Sequence, residues 1–141
     1  MIGLGYEGLT IDQFCADVAR LGVSMVVDVR LNALSGQPGF SKNSLRAALA
    51  GIGVEYLHLP ALGNPRDNRS GFRYPESAAG REARERYGAI VLSPAGNRAI
   101  EDLADLANVE TLGILCFERD QQACHRQVVM DHLEARLLAC G

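Results

Sequence analysis

The sequence predicts an α/β fold with a mainly parallel sheet of about four to five strands flanked by helices. Three observations carry that expectation. Short apolar runs alternate with stretches of helical periodicity along the whole chain. The run Met25-Val26-Val27-Asp28-Val29-Arg30 is apolar, rich in β-branched residues and ends in charge. A buried parallel strand reads this way where its carboxyl end reaches a surface. Thr111 to Phe117, the most apolar strand, repeats the pattern and runs into Glu118-Arg119-Asp120. Strand and helix taken in turn in this way imply a three-layer architecture of the Rossmann-like or flavodoxin-like kind.

Met1 to Gly5 reads as a short first strand. Thr10 followed by Gln13 has the form of a capping box, in which each side chain accepts from the other residue's backbone amide. Ile11, Phe14, Cys15, Val18 and Leu21 recur at helical spacing, so residues 10 to 21 form an amphipathic helix that Gly22 stops. After the second strand, over 25–30, Ser41 is placed to cap a helix with Leu45, Leu49 and Ile52 on one face. Gly51 and Gly53 mark its end, and Val54 to Leu59 is the third strand. Pro60 to Pro75 carries Arg66, Arg69 and Arg73 without periodicity and reads as a long irregular loop, of the length that is usually functional or mobile. A short helix runs from about Ala79 to Val91. Ser93-Pro94 opens another, a cap followed by proline at the first helical position. The last helix begins after Asp120, with Val129, Leu133 and Leu137 on one stripe.

At 141 residues the chain fits one domain over 1–141, since two would each approach the lower limit for a self-sufficient core. Hydrophobic residues make up 48% and charged residues 22%, an ordinary globular composition. A net charge of -3, no tryptophan and 6% aromatic residues leave neither a basic footprint nor a stacking platform, which argues against nucleic acid as a partner. No apolar run approaches the roughly 20 residues of a membrane span, and no signal peptide is recognisable. The expectation is a cytoplasmic protein whose four cysteines are thiols.

In parallel α/β sheets ligands bind beyond the carboxyl ends of the strands, and three polar clusters, after Val29, Leu59 and Phe117, fall there. The strongest is Cys116-Phe117-Glu118-Arg119-Asp120 continuing to Cys124-His125-Arg126. It leads from a strand end into a helix N-terminus, where unpaired amides and the dipole favour negative charge. Cys124 beside His125 and Arg126 has the ingredients of a lowered thiol pKa; the plainer reading is a small packing residue beside a paired arginine. Cys116, Cys124, His125 and His132 compete as metal ligands, but without the paired spacing of structural zinc sites, and the two histidines are too far apart to share one ion directly. A Cys116–Cys124 disulfide switch is a lesser alternative. A phosphatase loop fails, because position 122 is Gln122 where an arginine is needed and the loop has no glycine.

Asp28 and Arg30 share a face at the second strand's end, as a substrate-orienting pair or a structural salt bridge. His58 stands either as a general base or as a hydrogen-bonded core residue. Ser41 and Lys42 read as a cap and a solvated charge, and the three loop arginines as a solvated surface that an anion would find attractive. Gly3-Leu4-Gly5-Tyr6-Glu7-Gly8 matches the dinucleotide fingerprint by letter, with Asp28 20 residues after Gly8. Only two residues precede Gly3, too few for the strand the fingerprint requires, so a tight strand-to-helix turn explains the glycines more simply.

With these residues in view, the chain resembles the bacterial and archaeal family known as domain of unknown function 488. The resemblance runs through Gly3 to Gly8, Asp28-Val29-Arg30, Gly39-Phe40-Ser41-Lys42, Gly53 to Pro60, Leu62-Gly63 and the block from Cys116 to Arg126, which is the most specific. It implies an α/β domain with polar motifs gathered at strand ends, and it supplies no reaction. Family members commonly continue with a further strand carrying a histidine, whereas this chain stops at Cys140-Gly141; a sheet shorter by that strand is therefore expected.

The leading functional expectation is an enzyme acting on a small anionic or electrophilic substrate, a thiol-dependent transferase or hydrolase. Cys124 would be its nucleophile or redox thiol, activated by His125, with Glu118 or Asp28 orienting groups or exchanging protons. Arg30, Arg126, Arg119, His58 and Tyr6 would bind the substrate. The alternatives are a non-catalytic anion- or nucleotide-binding module and a metal site built from the Cys/His cluster. Cys124, His125, Arg126, Glu118, Asp28 and Arg30 are expected to converge in one cleft. Cofactor and oligomeric state are left unassigned.

Overall fold

A computed structural model describes residues 1–140, Cys140 by its backbone alone. Four strands, β1 (Ile2–Gly5), β2 (Met25–Asp28), β3 (Glu55–His58) and β4 (Leu112–Cys116), form an all-parallel sheet in the order β1-β4-β2-β3. The helices are α1 (Ile11–Arg20), α2 (Lys42–Ala50), α3 (Ala78–Val91), α4 (Pro94–Leu106) and α5 (Arg126–Cys140). β2 and β4 lie in the middle and are buried throughout, which is why their sequences read as continuous apolar runs.

Alternate residues of the central strands feed two cores. Val26 and Leu115 pack with Phe14 and Val18 of α1 and Leu45 and Leu49 of α2 on one face. Val27 and Ile114 pack with Tyr87, Leu103, Val129 and Leu133 from α3, α4 and α5 on the other. The result is a helix–sheet–helix sandwich, and each buried aliphatic side chain contributes about 1.5–3 kcal/mol to it. Thr10 and Gln13 complete the capping box of α1, and the Ser93 hydroxyl caps α4. Gly22 ends α1 with φ +71°, a left-handed turn that strains any side chain.

Chain leaves β2 toward the face of α1 and α2, and leaves the neighbouring β4 toward the face of α3, α4 and α5. Their carboxyl ends thus part at a topological switch point, where an open α/β sheet forms a crevice. β1 approaches that crevice closely: a Cβ on Gly5 would collide with the Glu118 carbonyl.

Several local expectations are corrected. Strand β2 stops at Asp28 rather than Arg30, because the Asp28 carboxylate binds the Arg30 amide and turns the chain. The Ser41 side chain does not cap α2; its hydroxyl accepts the Ser35 amide instead. Ile52 lies beyond α2 and is exposed. The Pro60–Pro75 segment is not irregular but is folded into 3-10 turns at Pro60–Leu62, Arg66–Asn68 and Ser70–Arg73. Asp120 caps a further 3-10 turn, Gln121–Ala123, so α5 begins only at Arg126, past an extended Cys124.

Candidate functional site

At the crevice, β4 ends in buried Cys116 and the chain loops out through Phe117 and Glu118. The Gln121–Ala123 turn reverses it, and the extended Cys124 brings its sulfur back to Cys116. The two are joined in a disulfide, which corrects the expectation of four free thiols; Cys15 is free. Eight residues apart in sequence, the two cysteines meet because strand end and helix start flank one short loop.

His125 follows directly and is buried among the ring of Tyr87, 5.0 Å between centroids, and the two sulfurs. Its Nε2 lies 2.7 Å from the Val29 carbonyl oxygen. A carbonyl only accepts, so Nε2 carries the hydrogen and Nδ1 carries a lone pair. That lone pair faces both sulfurs, at 3.6 Å from Cys116 Sγ and 3.8 Å from Cys124 Sγ. Burial pushes the imidazole down to about 4, against the pull of the Val29 carbonyl and with help from Arg69 and Arg126. A neutral, oriented ring is therefore present at neutral pH.

The two sulfurs differ in their remaining neighbours. Cys116 Sγ is 3.0 Å from Glu118 Oε2. Burial raises the Glu118 carboxyl above its ordinary range, opposed by its own backbone amide and by Arg126 and Arg69. Cys124 Sγ instead accepts the first-turn amide of α5, with Arg126 N at 3.5 Å. A helix amide favours negative charge and a carboxylate disfavours it, so the two sulfurs sit in different electrostatic surroundings.

These groups border a cleft of about 260 Å³. Tyr6, Arg30, Glu118, Cys116, Cys124 and His125 line it. Among the expected site residues, Asp28, Arg126, Arg119 and His58 are not on its wall. Asp28 is fully buried behind it and grips Arg30 with both oxygens, at 2.8 Å from Nε and 2.7 Å from Nη2. The Tyr56 hydroxyl donates to the same carboxylate at 2.5 Å. Burial pulls the Arg30 guanidinium down, but the bonds and charge of Asp28 outweigh it and hold the cation more firmly than usual. Arg30 Nη1 also donates to Tyr6 Oη and the Phe40 carbonyl, so this pair is the structural salt bridge closing the strand end.

Arg126 is buried and turned away from the cleft. Its Nη1 and Nη2 donate to the carbonyls of Glu118 and Arg119 at 2.5 and 3.2 Å, while Nε has no partner among the described residues. Arg119 is exposed, and its backbone amide donates to Glu7. His58 donates from Nε2 to the Arg30 carbonyl at 2.8 Å. Tyr6 stacks on Phe40 with centroids 4.4 Å apart.

Reading the sequence missed Asn64 and Tyr56, and gave Arg69 only as one of three loop arginines that an anion would find attractive. Tyr56 had a signal: two residues before His58, it shares that residue's face of β3 and lies diagonal to Asp28. Asn64 lies between the first two 3-10 turns and carried none. As ligands, Cys116 Sγ, Cys124 Sγ and one His125 nitrogen lie within 4.8 Å of one another; His132 is not part of that group.

Comparison with known proteins bears on family alone. No curated protein and no solved structure matches the chain. The family model described as Domain of unknown function DUF488 matches residues 10–133, from the cap of α1 through the cysteine–histidine block into α5. The chain therefore belongs to the DUF488 family.

Proposed function

We propose that the protein is an enzyme that uses Cys124 as a redox-active nucleophile on a small anionic or electrophilic substrate. The observation that carries this reading is the bonding of Cys124 to Cys116 on the cleft wall, with the free lone pair of His125 facing both sulfurs. In the reduced protein Nδ1 of neutral His125 accepts a hydrogen bond from the Cys124 thiol, and when that proton leaves to solvent the α5 amide stabilises the thiolate. With a disulfide substrate the thiolate attacks one substrate sulfur, and the other sulfur leaves as a thiolate. Cys116 then attacks the mixed disulfide at Cys124, which restores the Cys116–Cys124 bond and releases the second substrate thiolate. The protein loses two electrons and the substrate gains them.

The test is the pH dependence of alkylation at each cysteine of the reduced protein, read by mass spectrometry. An apparent pKa for Cys124 clearly below about 8.5 is expected, and Cys116→Ser should then retain a mixed disulfide with a small disulfide probe. A Cys124 that reacts no more readily than a free thiol would overturn the reading.

One observation favours a second reading, a metal site. In the reduced protein Cys116, Cys124 and His125 offer three ligands, and the Nε2 bond to Val29 is the outer contact that orients a metal-bound imidazole. The cleft would supply the open fourth position. Zinc titration of the reduced protein, with Cys124→Ser as the control, decides it.

A further inference from the structure

Beside the cysteine cleft lies a second cavity of about 510 Å³ that this reaction does not use. Arg66, Arg69 and Arg73 line it. Local geometry brings the three together. Arg66 opens one 3-10 turn, Arg69 closes it and Arg73 ends the next, so their spacings of three and four keep them on one side of the segment. Among the described residues no hydrogen bond or ion pair engages any of the three guanidinium groups.

Three carboxylates share the cavity wall, yet each is directed elsewhere. Glu7 accepts the Arg119 amide at 3.0 Å and Asp120 accepts the Gln122 amide at 3.0 Å. Glu118 faces Cys116 Sγ. Arg69 feels the charge of Glu118, but no side-chain hydrogen bond commits any of the three guanidinium groups, whose donors are left to a ligand or to water. Arg69, Phe117, Glu118 and Ala123 line both cavities, so the two adjoin across these residues.

We propose that this arginine-lined cavity is a subsite for a multiply charged, phosphate-type arm of the substrate whose reactive end meets Cys124. The proposal rests on the reading of Cys124 given above and names its substrate class: a thiol-reactive small molecule with a phosphate-bearing tail. Planar guanidinium forks match phosphate oxygens two at a time, which a solvated lysine surface would not do. Arg69, on the shared wall, is the residue that ties the anchor to the reaction.

The experiment is a titration of the reduced, full-length protein with pyrophosphate, followed by amide chemical shifts. Saturable binding is expected, with the largest shifts at Arg69, Ser70, Phe117 and Ala123, and affinity about tenfold or more weaker in Arg69→Gln/Arg73→Gln. Absence of saturation, shifts confined to other elements, or an unchanged affinity in the double variant would each overturn the subsite. On the same proteins, the ratio of Cys124 reaction rates with iodoacetate and iodoacetamide should fall in the double variant; a constant ratio breaks the link to the thiol. The two proposals fail separately. If pyrophosphate saturates while Cys124 resists both reagents, the subsite stands and the cysteine reading falls. If Cys124 is acidic and pyrophosphate does not bind, the reverse holds.

Discussion

His125 sits between two sulfurs and a carbonyl with almost no water, and burial holds it neutral down to about pH 4. In the unfolded chain the same ring takes a proton near pH 6.5. Its contribution to stability is therefore complete above about 6.5 and is lost as pH falls toward 4, because only the unfolded state binds the proton. The wild type should lose about 2 kcal/mol more than His125→Gln between pH 7 and pH 4.5. Urea denaturation of both proteins at each pH checks this, and parallel pH curves would refute it. Asp28 acts through its bonds to Arg30. Both oxygens of this buried carboxylate are committed to Arg30, and the partly buried Tyr56 adds a third contact. Asp28→Asn leaves a buried guanidinium without its counter-charge and should cost about 3–5 kcal/mol in a denaturation measurement. Tyr56→Phe, which removes one hydrogen bond, should cost about 1 kcal/mol.

Among the elements, the loop between β4 and α5 decides where the sulfurs meet, and Arg126 holds it. The side chain runs back under the loop and donates to two of its carbonyls. Burial lowers the Arg126 guanidinium, against the attraction of Glu118 and Asp120, so it lies at a site that strains to keep a cation. Arg126→Met should strip both carbonyls of their donors. Hydrogen exchange should then rise over residues 118–123 while the amides of β4 stay protected, with a stability loss of about 1–3 kcal/mol. Unchanged exchange in that loop would mean that the Gln121–Ala123 turn holds it unaided. Much at this scale was legible beforehand. Both α1 and α4 announced their caps, since Thr10-Gln13 and Ser93-Pro94 act within four residues. Ser41 looked like an equally good cap, and its hydroxyl went to Ser35 because the loop before α2 folds back on it. Local sequence states what a serine can do, and not which neighbour reaches it first.

At the scale of the molecule, the disulfide closes a loop of eight residues and removes its open conformations from the unfolded state. Reduction should lower stability by about 2–3 kcal/mol on loop-closure entropy. Wild type measured with and without dithiothreitol should show that difference, and Cys116→Ser should show none. The alternation of apolar strands and helices, by itself, determined the α/β class and the parallel sheet, because a strand that must be buried on both faces has to be apolar throughout. It also marked the strand ends where charge and sulfur gather. Tertiary structure alone decided the order β1-β4-β2-β3, which sets the end of β4 beside the end of β2 and so places His125 on the Val29 carbonyl. It also decided that Asp28 and Arg30 satisfy each other, that Arg126 props a loop, and that Arg66, Arg69 and Arg73 border a cavity. The strand order rests on contacts far apart in sequence, as from Val29 to His125 with a separation of 96, and pattern along the chain carries no record of such distances; the nearer pairs were left open because one side chain had several partners within reach.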